Sequence, residues 1–330
     1  MRKSRIHPAW IIAAITFATL FATAGFRSAP SVLILPLEDD FGWSRDVISL
    51  AVAINVLLYG LTAPFAAALM ERFTVRKVVM AALTTVGTGA LLTIFMTKSW
   101  HLMLLWGVIV GVGTGSMALV FAATIANRWF IKKRGLVIGI LTAAAASGQL
   151  VFLPGLSKLA ENPGWRASSL VIAFGAYLMV PIIYFFLKED PQSFNLKPYG
   201  AEENWVPPQL QKGNAARNAI NALRDASKVK NFWYLVGSFF VCGLSTSGLI
   251  GTHFIPAAHD HGMMQVTAAS LLALIGVFDV IGTIFSGILT DRIDPRKLLF
   301  FYYLFRGLSL FLLPSILFAS VHPKIGRAHV

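Results

Sequence analysis

Cysteine is almost missing from this 330-residue sequence: Cys242 stands alone, so no disulfide can form within the chain and no paired-cysteine metal spacing exists. Charge is thin, at 13% of residues, and acids are the scarcer sign, 15 against 28 lysines and arginines. Enzyme signatures are also lacking. No GxSxG, HExxH, Walker loop or dinucleotide fingerprint stands in a strand-to-helix context, and the glycine-rich GVGTGS at 111–116 lies inside an apolar run, where it makes no phosphate cradle. The sequence implies neither an enzyme nor a cofactor nor a metal.

What is abundant is apolar sequence. With 56% hydrophobic residues and a mean hydropathy of +0.69, the chain exceeds what a water-soluble core requires and reads as an all-α, polytopic membrane protein. The basic start MRKSRIHPAW resembles a signal peptide, but the apolar run behind it is too long for one and reads as an uncleaved first span. Nine stretches are expected to cross the bilayer: 10–37, 47–70, 78–97, 100–127, 135–158, 167–187, 232–256, 266–290 and 298–319. Placing the N-terminus in the cytoplasm puts 20 cations on the inner side and 4 on the outer (Arg45, Lys98, Lys158 and Arg166). Cationic loops resist translocation, so this asymmetry explains the net charge of +13 without a nucleic-acid partner. The expected location is the plasma (inner) membrane.

One polar connection, 188–231, divides the chain into a six-helix bundle, 1–187, a cytoplasmic linker, and a three-helix segment, 232–330. Within the linker Ala216, Ala219, Ile220 and Leu223 recur at helical spacing, which predicts a short amphipathic helix. The loop AALMERFTVRK, 67–77, returns as GILTDRIDPRK, 287–297: Glu71, Arg72, Arg76 and Lys77 match Asp291, Arg292, Arg296 and Lys297 at a constant offset of 220 residues. A repeat of that length, with both loops on one side, implies two halves of like orientation. A second half of six helices would extend to about residue 410. The expectation is a C-terminally truncated chain with a doubtful tail at 324–330, where the apolar pattern stops.

These loops resemble the major facilitator superfamily, whose motif between helices two and three reads Gly-x-x-x-Asp-Arg-x-Gly-x-Arg-Arg/Lys. The second copy fits at Gly287, Asp291, Arg292, Arg296 and Lys297. The first departs, with Ala67, Glu71 and Thr74 at the Gly, Asp and Gly positions. FGWSRDVISLAVAI, NRWFIKKRGLVIGI and VFDVIGTIFSGILTDR are similar to the monocarboxylate transporter group and its bacterial relatives. The resemblance implies a major facilitator fold, complete in its first half and incomplete in its second, with the acid of the motif latching one conformation against arginines or a helix N-terminus. Gly107, Gly111, Gly113 and Gly115, and Gly135, Gly139, Gly148 and Gly155, are expected to let helix backbones approach closely.

Arg27, Asp279 and Arg306 are ionisable residues inside apolar helices. An arginine near a span's centre costs about 2.5–3.5 kcal/mol, so it persists where it faces protein, water or ligand. In the monocarboxylate group a first-helix lysine binds the anion and an eighth-helix aspartate, with an arginine four residues later, carries the proton. By that resemblance Arg27 falls at the lysine's place and Asp279 at the aspartate's, while Thr283 stands where the arginine would be and Arg306 is the candidate replacement. Asn55, Tyr59 and Gln149 are further candidates for contact with a carboxylate, and His253 for proton relay, although interhelical bonding is the commoner use of such residues. The reading is a monomeric secondary transporter taking a small organic anion together with protons. Proton-coupled efflux of hydrophobic compounds, a transporter-like sensor and an inactive fragment are the alternatives.

Overall fold

A computed structural model describes residues 7–194, 196–202, 205, 215–290 and 293–319; the side chains of Arg27, Gln149 and some other helical positions lie outside the description. Each of the nine expected spans is a helix over most of its length. They are α1 Pro8–Phe41, α2 Arg45–Arg72, α3 Val75–Thr93, α4 Ser99–Trp129, α5 Arg134–Leu159, α6 Trp165–Phe186, α8 Lys230–Asp260, α9 Gln265–Thr290 and α10 Pro295–Ala319. Helix α7, Ala215–Ala226, is the amphipathic helix foreseen in the linker. Seven helices among the described residues are long and apolar enough to cross a membrane, one of them, Arg134–Phe186, comprising α5 and α6 joined where Asn162 leaves the helical conformation.

Local chemistry explains the ends and the polar residues along α1. Pro8 opens the helix, where its missing N–H is harmless, and His7 accepts from the Ala9 N–H at 3.2 Å. Gly42, at φ 65°, closes it by donating to the Glu38 carbonyl at 2.9 Å. The 34 residues span about 51 Å, more than the roughly 30 Å hydrocarbon layer, so both ends project beyond it. The hydroxyls of Thr16, Thr19 and Thr23 donate to the carbonyls of Ile12, Ile15 and Leu20, which satisfies their polarity within the helix.

The first six membrane helices pack as one bundle. Helix α5 lies along α1, α6 against α3 and α1, and α4 between α2 and α3. Trp129, Phe121, Phe130, Leu83 and Leu141 are fully buried there. Glycines permit the close approaches on α4: a Cβ at Gly115 would stand 2.6 Å from the Tyr59 carbonyl oxygen, and one at Gly111 3.0 Å from the Asn55 Cα. Gly148 does the same on α5, where a Cβ would come within 2.5 Å of the Phe21 carbonyl oxygen on α1. Gly135, Gly139 and Gly155 depart from the expected packing role: a Cβ on each would meet nothing within 4 Å.

The second segment is held mainly through α9, which runs along α5, and through α8, which touches α1. Its buried residues, among those described, fall between Thr252 and Gly276. Burial is therefore concentrated at the end shared with the α1–α2 connection, while the other half of α9, from Phe278 to Phe285, is largely exposed.

At the opposite end, the linker is pinned beneath the first bundle. The Tyr199 N–H donates to the Trp129 carbonyl at 2.8 Å, the Ile131 N–H donates to the Tyr199 carbonyl at 3.0 Å, and the Tyr199 ring packs against His7, Trp10 and Phe130.

Candidate functional site

Helix register places position 27 of α1 on a buried face. Leu20, Ala24, Ser31 and Ile34 occupy the same stripe at i−7, i−3, i+4 and i+7, and each is 6% exposed or less. The outward stripe, with Ile11, Ala14 and Ala18, lies elsewhere on the helix. Position 27 also stands one turn beyond the tight α1–α5 contact, where Gly148 meets Ala24 and Phe21 and where Gln149 follows in sequence. Pro30 cannot supply the N–H that the Phe26 carbonyl would ordinarily accept, so the helix carries a backbone acceptor beside Arg27.

Asp279 continues the stripe by which α9 meets α5. Ala268, Leu272 and Gly276 on that stripe are buried, and Asp279, one turn further, is exposed. It therefore sits where burial of the second segment ends. Helix α5 packs against both α1 and α9, making it the common wall between the helices that carry Arg27 and Asp279.

The remaining candidates separate. Asn55 donates to the Trp106 carbonyl at 2.7 Å, tying α2 to α4, and Tyr59 is half-buried with its backbone against Gly115. His253 is half-buried near the end of α8, within electrostatic reach of Arg45. Arg306 of α10 turns toward α8, donating to the Cys242 Sγ at 3.4 Å and to the Thr246 hydroxyl, and its buried Nε has no hydrogen-bond partner among the described residues. Tyr303, one turn earlier, donates to the Ser238 carbonyl, so one face of α10 binds α8 by polar contacts.

The charged loops behave differently from the simplest expectation. Among the described residues Glu71 forms no ion pair. The acid that engages the start of α3 is Glu189, just past α6, whose two oxygens each accept a backbone N–H, from Val75 and Arg76, at 2.9 Å. A carboxylate is favoured there by unpaired amides and the helix dipole. Arg128, at the end of α4, pairs with Glu189 at 3.4 Å and Asp190 at 3.6 Å. Arg76 lies over the Tyr184 ring, and Arg72 over Phe73. Thr74 adopts φ 142°, a conformation that favours glycine, and its hydroxyl accepts from the Lys77 N–H. In the repeat, Asp294 caps α10 by accepting from the Arg296 N–H, at the same 220-residue offset from Thr74. Asp291 and Arg292 lie outside the described residues.

Burial pushes the Asp190 carboxyl above the ordinary 3.8; Arg128 opposes the shift and Glu189 adds to it. The fold therefore holds that proton more tightly than the unfolded chain, and the contribution of Asp190 to stability falls as pH rises above the usual carboxylate range. Glu189→Gln is expected to cost about 1–2 kcal/mol and Asp190→Asn nothing measurable or a small gain at neutral pH, read as midpoints of thermal unfolding in detergent.

The sequence model of the Major Facilitator Superfamily matches residues 15–324. The chain belongs to the Major Facilitator Superfamily. It is 25% identical over 291 residues to the uncharacterized MFS-type transporter YcxA of Bacillus subtilis (strain 168), covering 88% of this chain and 67% of that one. To monocarboxylate transporter 7 of Homo sapiens it is 29% identical, covering 88% and 64%. Its fold is similar to that of a bacterial homolog of the human lysosomal transporter Spinster, with a TM-score of 0.62 and 18% identity over 89% of this chain and 64% of the other. The chain spans about two thirds or less of the length of these relatives.

As a superfamily member the chain is a multi-pass membrane protein. Sequence reasoning missed Glu189, although KEDP, an acid pair directly after an apolar span, is its signal. It also missed Glu38 and Asp260, which meet at Arg45; three successive acids, Glu38, Asp39 and Asp40, facing Arg45 across a short turn were the available hint.

Proposed function

We propose that the protein is a secondary active transporter of a small organic anion, a monocarboxylate by preference, coupled to protons and oriented with its N-terminus in the cytoplasm. The observation that carries this reading is the buried stripe of α1 on which position 27 falls, because an arginine at that depth is tolerable only facing protein, water or ligand. Arg27 binds the carboxylate, and Asp279, where α9 loses its cover, takes up and releases the proton. Arg306 supplies a second cation, held toward α8 by Cys242 and Thr246. The similarity to monocarboxylate transporter 7 supports the substrate class, and the basic inner loops support the orientation. Rocking of the two segments about the seam between α5 and α9 exposes the site alternately.

The test is uptake of a panel of labelled acids by proteoliposomes, with and without an inward proton gradient. Accumulation of short monocarboxylates driven by the gradient supports the assignment. Export of uncharged hydrophobic compounds with no carboxylate uptake contradicts it.

A further inference from the structure

The two segments are tied together at the end of the bundle that carries the α1–α2 connection, and the ties form two tiers. The upper tier centres on Arg45, the first residue of α2. Its guanidinium meets Glu38 of α1 through Nε at 2.9 Å and Nη2 at 3.0 Å. The same group reaches across to Asp260, the last residue of α8, through Nη1 at 2.6 Å and Nη2 at 3.3 Å. One planar cation thus holds two carboxylates, one from each segment, in the bidentate geometry that suits arginine and not lysine.

The lower tier is a consequence of a proline. In an α-helix the Val32 carbonyl would accept from the N–H of residue 36, but that residue is Pro36, which has none. Within a membrane such an acceptor needs another donor. Gln265, the first residue of α9, supplies it: its buried side chain donates from Nε2 to the Val32 carbonyl at 2.7 Å. Separating the segments at this end therefore strands a backbone acceptor and a buried amide as well as breaking an ion triad.

We propose that Arg45 and Gln265 form the outer gate of the transporter, a latch whose closed state is the one seen here. This rests on the transport reading, since a gate presupposes alternating access. The concentration of burial between Thr252 and Gly276, with α9 exposed beyond it, is the arrangement such a latch produces: joined at the outer end, parted at the inner. Glu38 orients the Arg45 fork and keeps it attached to the first segment, so Asp260 is the contact that opens.

The test is a spin-label distance across the latch in the full chain in proteoliposomes. Nitroxides are placed at Asp39→Cys and Ala257→Cys, both exposed and outside the latch, in a Cys242→Ser background. The parent is expected to give one short, dominant distance. Arg45→Gln, Asp260→Asn and Gln265→Leu should each raise the ratio of long to short distances about tenfold, the size expected for a partly exposed charge-assisted bond or a stranded buried donor. The charge swap Arg45→Glu with Asp260→Arg should restore the short distance, since the relocated arginine meets acids at 38 and 45. Restoration also excludes misfolding as the cause. An unchanged distribution in all three single variants, or no recovery in the swap, overturns the latch. The measurement needs no substrate, so loss of the anion assignment would leave it standing, and a failed latch would leave uptake untouched.

Discussion

Arg27→Ala is expected to lower carboxylate uptake about 30-fold or more while the protein remains folded and monodisperse in detergent. The expectation follows from the position of the residue. Ala24 and Ser31, one turn to either side on the same stripe, are each 1% exposed, so a carboxylate bound there is removed from water and gains little elsewhere. Truncating one partner of a buried charged pair costs about 2–5 kcal/mol, which is a factor of roughly 30 to several thousand. Arg27→Lys keeps the charge but loses the planar fork, and should retain measurable uptake at about a tenth of the parent. That pairing separates the role of charge from simple misfolding. Uptake by the alanine variant within twofold of the parent would remove Arg27 from the site.

Asp279→Asn carries the second large effect. If this carboxylate takes and releases the transported proton, the amide fixes the site in a neutral state that cannot cycle. Accumulation against a gradient, driven by an acidic exterior, should vanish, whereas exchange of labelled for unlabelled substrate across the membrane should persist at a rate comparable to the parent's. Exchange needs only that the loaded carrier reorient; net accumulation needs the carboxylate to lose its proton inside. Gradient-driven accumulation by the asparagine variant equal to that of the parent would contradict the assignment.

Much of the architecture was legible because a membrane restricts what a sequence can do. A stretch of about 20 apolar residues has few options besides a spanning helix, and the expected spans emerge as α1–α6 and α8–α10. The 220-residue repeat was visible in charge alone, and the helix caps Thr74 and Asp294 extend it. Ion pairs between distant segments were not legible. Arg45 and Asp260 are 215 residues apart, and nothing in the neighbourhood of either names the other. Likewise the loop acid Glu71 stands at the Asp position of the superfamily motif, yet the carboxylate that caps α3 comes from Glu189, 113 residues downstream of Arg76. A local pattern identifies which chemistry a helix terminus needs, and only the packed bundle shows which side chain supplies it. Gly148 and Gly135 make the same point: identical residues on one helix, one wedged against α1 and the other open.

The claim on which the account depends is that position 27, on its buried stripe, is reached by solutes entering from water. Arg27→Cys in a Cys242→Ser background, treated in proteoliposomes with a small cationic methanethiosulfonate reagent, tests it directly. The account predicts rapid modification. Absence of modification, with an exposed control such as Asp39→Cys labelled normally, would place that position against lipid or sealed protein and contradict the proposed anion site.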